Sequence, residues 1–166
     1  MVLLTSIWQW LDGWDKYFFT LINGSWSSPV LDPFMVFMRT PLSWAPLYLF
    51  LLAFVLMNFR TRGLWWCVFF ICTVALTDMT GTNLFKKMVQ RYRPCHDPEF
   101  YTQVRMVLHD CAGGYSFTSN HAANHFGMAV FFLVTFRHIL GKWVWLGIIW
   151  ASLIAYSQVY VGEYYP

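Results

Sequence analysis

The chain has 166 residues, enough for one domain, and it is 58% hydrophobic, 21% aromatic and only 11% charged. An average soluble domain is roughly 25% charged, so the composition excludes an ordinary soluble protein and indicates a membrane protein. A net charge of +3 without any run of Lys or Arg gives no support for nucleic-acid binding.

Residues 1–41 are predicted to form amphipathic helices at the membrane interface. Between residues 4 and 22 apolar side chains recur at helical spacing; they are Leu4, Ile7, Trp8, Leu11, Trp14, Phe18, Leu21 and Ile22. Asp12, Asp15 and Lys16 would be costly at the bilayer centre, so we expect the helix to lie flat. The same periodicity also fits a helix packed against a bundle. The run Asn23-Gly24-Ser25 ends this helix, and Ser28-Pro29 predicts the start of a second.

Residues 42–166 are predicted to form a core that is embedded in the membrane. Four apolar segments approach the roughly 20 residues that cross a bilayer core, and they are 42–59, 64–85, 120–136 and 143–160. Only helices satisfy their own backbone in hydrocarbon. The predicted fold class is therefore an all-α polytopic membrane helix bundle with an N-terminal amphipathic interfacial helix.

The short turns between these segments indicate an orientation. Arg60 and Arg62 lie in one turn, and Arg137 and Lys142 lie in another. The positive-inside rule places both turns in the cytoplasm. Segment 86–117 and the end of the chain then lie outside.

Lys86 and Arg93 are candidates for binding an anion. They are seven residues apart, so they share a face if the helix continues to Tyr92. Arg93 precedes Pro94, and the helix should end there. On one face, the Arg would give a bidentate contact and the Lys a point charge. The pair would equally suit two basic residues that reach up to lipid headgroups.

A second candidate lies at the start of the third apolar segment. Thr118 or Ser119 can cap this helix, whose free N–H groups and positive dipole end favour phosphate. The Ser119 hydroxyl adds a donor, and His121 is placed to protonate a leaving oxygen. His121 and His125 share a face, so a zinc pair is conceivable. Because no Glu lies between them, we expect His125 to form hydrogen bonds within the bundle instead.

Asp78 is an acidic residue inside an apolar segment, and such residues are usually paired or functional. Two roles are open. Asp78 could orient a cationic residue such as Lys86, or it could hydrogen-bond among Thr77, Thr80 and Asn83.

The four cysteines fall into two pairs. Cys67 and Cys72 lie inside an apolar segment and should be reduced packing residues. Cys95 and Cys111 flank the outer loop, where the compartment permits a disulfide bridge. A bridge and two free thiols are both open.

Three blocks of residues resemble the signatures of the type 2 phosphatidic acid phosphatase superfamily. Lys86, six residues and then Arg93-Pro94 match the first signature. The run Thr118-Ser119-Asn120-His121 resembles the second, which is usually Pro-Ser-Gly-His. The run from Ser157-Gln158 to Pro166 resembles the third, which is usually Ser-Arg, five residues, His, three residues and Asp. The resemblance covers residues 86–166.

The resemblance implies a hydrolase of lipid phosphomonoesters or pyrophosphates that needs no metal or cofactor. It assigns phosphate binding to Lys86, Arg93, Ser119, Asn120 and the third-block position Gln158. His121 would be the general acid. Tyr164 stands where the family has the nucleophilic His, which forms a phosphohistidine and is oriented by the Asp.

The third block departs from the family pattern. Gln158 brings no charge where Arg is usual. A Tyr hydroxyl with a pKa near 10 is a poor substitute for imidazole, so Tyr164 should not act as the nucleophile at neutral pH. The chain stops at Pro166, before the Asp position and the final helix. As written, the chain is expected to bind phosphate without hydrolysing it by the family route.

Three interpretations of these departures remain open. The chain is an incomplete or altered copy of a working enzyme, an inactive protein that binds phospholipid or carrier lipid, or a membrane subunit of a larger complex. The substrate is equally open among phosphatidic acid, phosphatidylglycerol phosphate, undecaprenyl pyrophosphate and lipid A. Beyond such a phospholipid or isoprenoid phosphate, the expected partner is the bilayer. The expected location is the bacterial inner membrane, with several spans and with the active site facing the periplasm or outside.

Overall fold

The computed structural model describes residues 2–166, and side chains are described from Trp8 onward. The α-helices in this range are α1 Val2–Phe19, α2 Asp32–Arg39, α3 Pro41–Thr80, α4 Lys86–Val89, α5 Asn120–Leu140 and α6 Trp145–Tyr160. Residues 2–166 contain no β-strand, which confirms the all-α class. The side chains of Leu4 and Ile7 lie outside the described part.

Helix α3 consists of two helical segments that fold back on each other at Arg60. The backbone of Arg60 has φ 49° and ψ −124°, which is not helical. A Cβ at Gly63 would collide with the carbonyl oxygen of Val55, so glycine permits the close turn. One turn further, the Cys67 thiol lies 3.8 Å from the carbonyl oxygen of Leu52. Segments 41–59 and 61–80 are therefore antiparallel.

Helices α5 and α6 form a second antiparallel hairpin. Their connection turns at Gly141, whose φ is 54°. Val144 and Phe136 share a buried cluster close to the turn, and Gly147 packs against Ala129 further along.

The two hairpins pack into one bundle of four antiparallel segments. Segment 61–80 contacts α5 through a series of pairs, which are Trp66 with Thr135, Phe70 with Phe131 and Thr77 with Asn124. Segment 41–59 contacts α6, where the Tyr48 and Trp150 rings lie 6.1 Å apart. The four predicted apolar segments are thus neighbours in space.

Two helical stretches are long and apolar enough to cross a membrane, by length and composition. Pro41–His96 has a mean hydropathy of 1.8, and Asn120–Tyr160 has a mean hydropathy of 1.5. Each stretch contains one hairpin, so the two stretches hold the four predicted spans. Little of their apolar surface is buried by the protein itself. That surface is available to lipid, as expected for a membrane helix bundle.

The loops gather at two ends of the bundle. Arg62 and Ile139 line one crevice, so the turns at 60–63 and 137–142 lie at the same end. At the other end, the Val107 amide donates to the Val161 carbonyl oxygen at 3.4 Å, which joins the long loop to the end of the chain.

Helix α1 packs its charged face on the long loop. Arg91 donates to Asp12 at 2.8 Å and to Asp15 at 2.5 Å, and Lys16 lies 3.5 Å from Asp97. Its other face exposes large aromatic side chains, which are Trp8, Trp10, Trp14, Tyr17 and Phe18. The helix therefore packs against the rest of the protein, which was the alternative to lying free in the interface, and its exposed Trp and Tyr keep an interfacial position as a prediction.

Helix α2 begins later than predicted. The helix was expected from Pro29, but residues 28–31 form a turn in which the Ser28 carbonyl accepts from the Leu31 amide at 2.9 Å, and α2 starts at Asp32. The Tyr160 hydroxyl accepts from the Ser28 amide and donates to its carbonyl oxygen, each at 2.9 Å. This contact from α6 fixes the turn and delays the helix.

Candidate functional site

The helix that begins at Lys86 does not reach Arg93. Helix α4 ends at Val89, and Gln90 is left-handed with φ 48° and ψ 34°. Arg93 is reached by extended backbone, with φ −73° and ψ 152°. The prediction that Lys86 and Arg93 share a face of one helix is therefore wrong. A left-handed residue stops the helix before the proline signal does.

Arg93 nevertheless points into the protein, and its side chain is only 4% exposed. Its Nε donates to the Gly114 carbonyl at 3.3 Å, and its Nη1 donates to the Glu163 carbonyl at 3.4 Å. Its Nη2 donates to the Tyr164 hydroxyl at 2.9 Å. The guanidinium is thus fixed between the long loop and the end of the chain.

A disulfide closes the loop that carries Arg93. Cys95 is bonded to Cys111, with their Cα atoms 6.2 Å apart, which confirms the bridge among the two open possibilities. Cys67 and Cys72 are free thiols, as predicted. Arg93 lies just before Cys95 and Gly114 lies just after Cys111. The bridge therefore holds together the two ends of the loop that meet at the Arg93 guanidinium.

Helix α5 begins beside this loop. The Oγ of Ser119 accepts from the Ala122 amide at 3.3 Å, so Ser119 is the residue that caps the helix. A capped start leaves the other amides of the first turn directed out of the helix end.

Asp78 connects α3 to the first turns of α5. Its Oδ1 accepts from the side-chain amides of Asn120 at 3.0 Å and Asn124 at 3.1 Å. Neither role considered for Asp78 in the sequence includes these partners. The carboxylate is still close enough for its charge to act on Lys86 and His121.

The two histidines of α5 differ in their contacts. The Nδ1 of His125 donates to the His121 carbonyl at 2.6 Å, and its Nε2 accepts from the Tyr48 hydroxyl at 2.7 Å. His125 thus bonds within the bundle as expected, with neither nitrogen free for a metal. The Nε2 of His121 is buried and has no hydrogen-bond partner among residues 2–166. His121 has the unengaged nitrogen that a proton donor to a ligand requires.

Gln158 is a second buried polar group without partners. Its side chain is 1% exposed, and within residues 2–166 neither its amide oxygen nor its amide nitrogen forms a hydrogen bond. It lines an open cavity of about 440 Å³ together with Ser119, Tyr164 and Arg91, in a mostly apolar wall to which Lys86, Arg93 and His121 do not contribute. A buried amide without partners is costly, so a polar ligand in this cavity would satisfy it.

Charges from several elements converge on this end of the bundle. The Oε2 of Glu163 lies 3.6 Å from Nη1 of Arg93, and Arg39 donates to both carboxylate oxygens of Glu163, which is 3% exposed. Sequence reasoning missed Arg39 and Glu163. Arg39 looked like an ordinary cation at the end of an interfacial helix, and no spacing rule relates it to Glu163.

The fold and this site define a class of protein. The membrane helix bundle brings the buried Arg93, the capped start of α5 and the unengaged nitrogen of His121 to one end. The PAP2 superfamily profile matches residues 63–166, and this chain belongs to that superfamily.

Similar proteins include three curated relatives. A lipid A 4'-phosphatase of Bacteroides thetaiotaomicron is 29% identical over 95% of this chain and 70% of its own length. A lipid A 4'-phosphatase of Porphyromonas gingivalis is 27% identical over 91% and 63%. An undecaprenyl-diphosphatase of Sulfolobus acidocaldarius is 31% identical over 93% and 69%. The chain thus spans about two thirds of the length of these relatives.

A solved structure has the same fold. The transmembrane PAP2 type phosphatidylglycerolphosphate phosphatase of Bacillus subtilis superposes with a TM-score of 0.67 at 20% identity. The match covers 93% of this chain and 75% of that one. The all-helical membrane fold is therefore that of a known membrane phosphatase.

Proposed function

We propose that this chain has the fold of a membrane lipid phosphatase and that its site binds the phosphate group of a lipid of the lipid A type. The named activities of two of the relatives support this substrate class. The observation that carries the proposal is the buried Gln158 amide, which lies without partners beside the Ser119 cap in an open cavity. Such an amide needs a polar ligand.

In this proposal the phosphate lies between α4, the long loop and the start of α5. Lys86 and Arg93 supply positive charge, and Ser119, Asn120 and Gln158 supply hydrogen bonds. The unengaged Nε2 of His121 donates a hydrogen bond to a phosphate oxygen. The three described hydrogen bonds of Arg93 use three of its five N–H donors, which leaves donors for a phosphate oxygen.

A second candidate is binding without hydrolysis. The observation that favours it is the bond between Arg93 and the hydroxyl of Tyr164, the residue at the nucleophile position. A phenol is a much weaker nucleophile toward phosphorus at neutral pH than the imidazole usual at this position. The chain would then hold a lipid phosphate at the membrane surface.

The proposed location is the bacterial inner membrane, with the site facing the periplasm. Basic residues in the turns at 60–63 and 137–142 support this orientation, since both turns lie at the end of the bundle opposite the site. In that orientation the Cys95–Cys111 bridge lies in a compartment that permits disulfides.

Binding and phosphate release measured together test the proposal. The purified chain in detergent is given lipid A, short-chain phosphatidic acid and undecaprenyl pyrophosphate. We expect the tightest binding with lipid A, and loss of that binding in Arg93→Ala. Arg62→Ala removes an exposed arginine at the opposite end of the bundle and should change nothing. Equal binding by Arg93→Ala and the unmodified chain would refute the site.

A further inference from the structure

We propose that Arg39 is a cation of the phosphate site, and that it supplies the positive charge which Gln158 does not. This inference rests on the proposed function. It adds a residue of the N-terminal segment to a site whose family profile begins only at residue 63.

Gln158 is uncharged at a position of the proposed site where the family usually has Arg. An amide can donate to a phosphate oxygen but carries no charge to neutralise the anion. Gln158 is buried, so solvent does not compensate for the missing charge. A working phosphate site here needs a cation from another part of the chain.

Arg39 lies close to Gln158 through its partner Glu163, whose backbone amide donates to the Gln158 carbonyl oxygen at 3.3 Å. It is the last residue of α2, and its side chain is 17% exposed. Its Nη1 and Nη2 donate to the two carboxylate oxygens of Glu163 at 3.2 Å and 2.8 Å.

Arg39 and Arg93 converge on a single anionic oxygen. The Oε2 of Glu163 lies 2.8 Å from Nη2 of Arg39 and 3.6 Å from Nη1 of Arg93. Two guanidinium groups that share one carboxylate oxygen are also spaced to share one phosphate. Glu163 therefore occupies the position of an anion between the two arginines, and a bound phosphate would displace its carboxylate from at least one of them.

The competing explanation is that Arg39 only neutralises a buried carboxylate. Removing one partner of a buried ion pair destabilises a protein because it leaves the other charge uncompensated. Arg39→Gln alone would therefore confound binding with folding. A pair of variants that both lack the Glu163 carboxylate isolates the contribution of Arg39.

The experiment measures the dissociation constants of inorganic phosphate and of short-chain phosphatidic acid by calorimetry in detergent. Glu163→Gln should bind both ligands at least as tightly as the unmodified chain, because the competing carboxylate is gone. Arg39→Gln/Glu163→Gln should bind both about 10- to 100-fold more weakly, which is the effect of losing one charged hydrogen-bonding group. Adding Gln158→Arg to that double variant should restore affinity to within a few fold of Glu163→Gln.

A matched control removes the second ion pair of α2, which joins it to the long loop. Arg105 donates to both carboxylate oxygens of Asp32, so Arg105→Gln/Asp32→Asn is an equivalent change outside the proposed site. It should leave both dissociation constants unchanged.

Two results would overturn the role of Arg39. One is equal affinity in Glu163→Gln and Arg39→Gln/Glu163→Gln, and the other is no recovery when Gln158→Arg is added. If neither the unmodified chain nor any variant bound either ligand, both the proposed phosphate site and the role of Arg39 would be refuted. Binding that persists without Arg39 would refute the inference and leave the proposed function intact.

Discussion

Arg93 contacts Tyr164 in two ways. Its Nη2 donates to the Tyr164 hydroxyl at 2.9 Å, and its guanidinium carbon lies 4.3 Å from the centre of the Tyr164 ring. A cation over an aromatic face is attracted by the ring quadrupole, so the hydrogen bond and the ring both hold Arg93. The position where the superfamily has its nucleophilic His is thus occupied by a side chain that binds the site's own arginine.

The first prediction concerns this position. The unmodified chain should release little phosphate from short-chain phosphatidic acid in detergent, because a phenol is a weak nucleophile at neutral pH beside an imidazole. Tyr164→His should raise the release, because it introduces an imidazole at this position. The activity should disappear again in His121→Ala. Robust turnover by the unmodified chain would show that the nucleophile differs from that of the family.

The second prediction concerns Gly162, which connects α6 to the end of the chain. Its φ is 95°, and a Cβ there would lie 2.9 Å from the Arg105 carbonyl oxygen. Gly162→Ala should therefore lower the free energy of unfolding by about 1–3 kcal/mol. Gly13→Ala is the control, since nothing lies within 4 Å of its Cβ position in α1 and alanine favours a helix. Thermal unfolding in detergent would contradict the argument if both variants behaved alike.

The third prediction concerns the pH dependence of stability at Asp32. Hydrogen bonds from Arg105 hold the pKa of the Asp32 carboxyl below its usual value of 3.8. A lowered pKa stabilises the fold above the unfolded-state value, and the contribution is lost as the pH falls through the folded-state value.

Unfolding midpoints of the unmodified chain and Asp32→Asn between pH 3 and pH 7 measure this contribution. The difference in stability between the two proteins should be constant near neutral pH, where it should correspond to roughly 0.5–1 kcal/mol for a partly exposed ion pair. It should shrink below about pH 4. A difference that grows on acidification would have the wrong sign.

The fourth prediction concerns the Cys95–Cys111 bridge. It closes a loop over a sequence separation of 16 residues, and a loop of this length contributes about 3 kcal/mol in the chain-entropy model. Replacing both cysteines by serine should lower the unfolding midpoint and weaken phosphate binding, because the bridge holds the loop around Arg93. Cys72→Ser removes an exposed free thiol and should have no effect. If a reducing agent did not lower the midpoint of the unmodified chain, the bridge would not contribute to stability.

The fifth prediction concerns orientation. Single cysteines at Arg62 and Tyr101, introduced in a background without Cys67 and Cys72 and with the bridge intact, should be labelled from opposite sides of the membrane. The reason is that the two positions lie at opposite ends of the bundle, one in a short basic turn and one in the long loop. An impermeant reagent added outside intact cells should reach only Tyr101→Cys. Labelling of both would exclude the proposed topology.

The sequence by itself determined the membrane helix bundle and the start of α5. Apolar length and periodicity are local properties, so the four spans were placed close to their observed limits, with α5 beginning at Asn120 and α6 ending at Tyr160. The Ser119 cap is also local, since its hydroxyl bonds an amide three residues away. The three signature blocks identified the family for the same reason.

Local signals failed where distant side chains determine the backbone. Ser28-Pro29 is a good start for a helix, but Tyr160 binds both backbone groups of Ser28 and α2 begins later. The spacing of Lys86 and Arg93 fits a continuous helix, but the helix ends before the left-handed Gln90. Arg93 therefore lies in a loop.

Only the tertiary structure brought together Arg39 and Glu163. They are 124 residues apart in sequence, and neither has a pattern that identifies its partner. Two charges are buried together only when the fold supplies both, because either one alone would carry the cost of desolvation without compensation. The composition and the motifs predicted a phosphate site in the C-terminal part of the chain, whereas the packing of α2 against α6 decided that Arg39 of the N-terminal segment lies against Glu163.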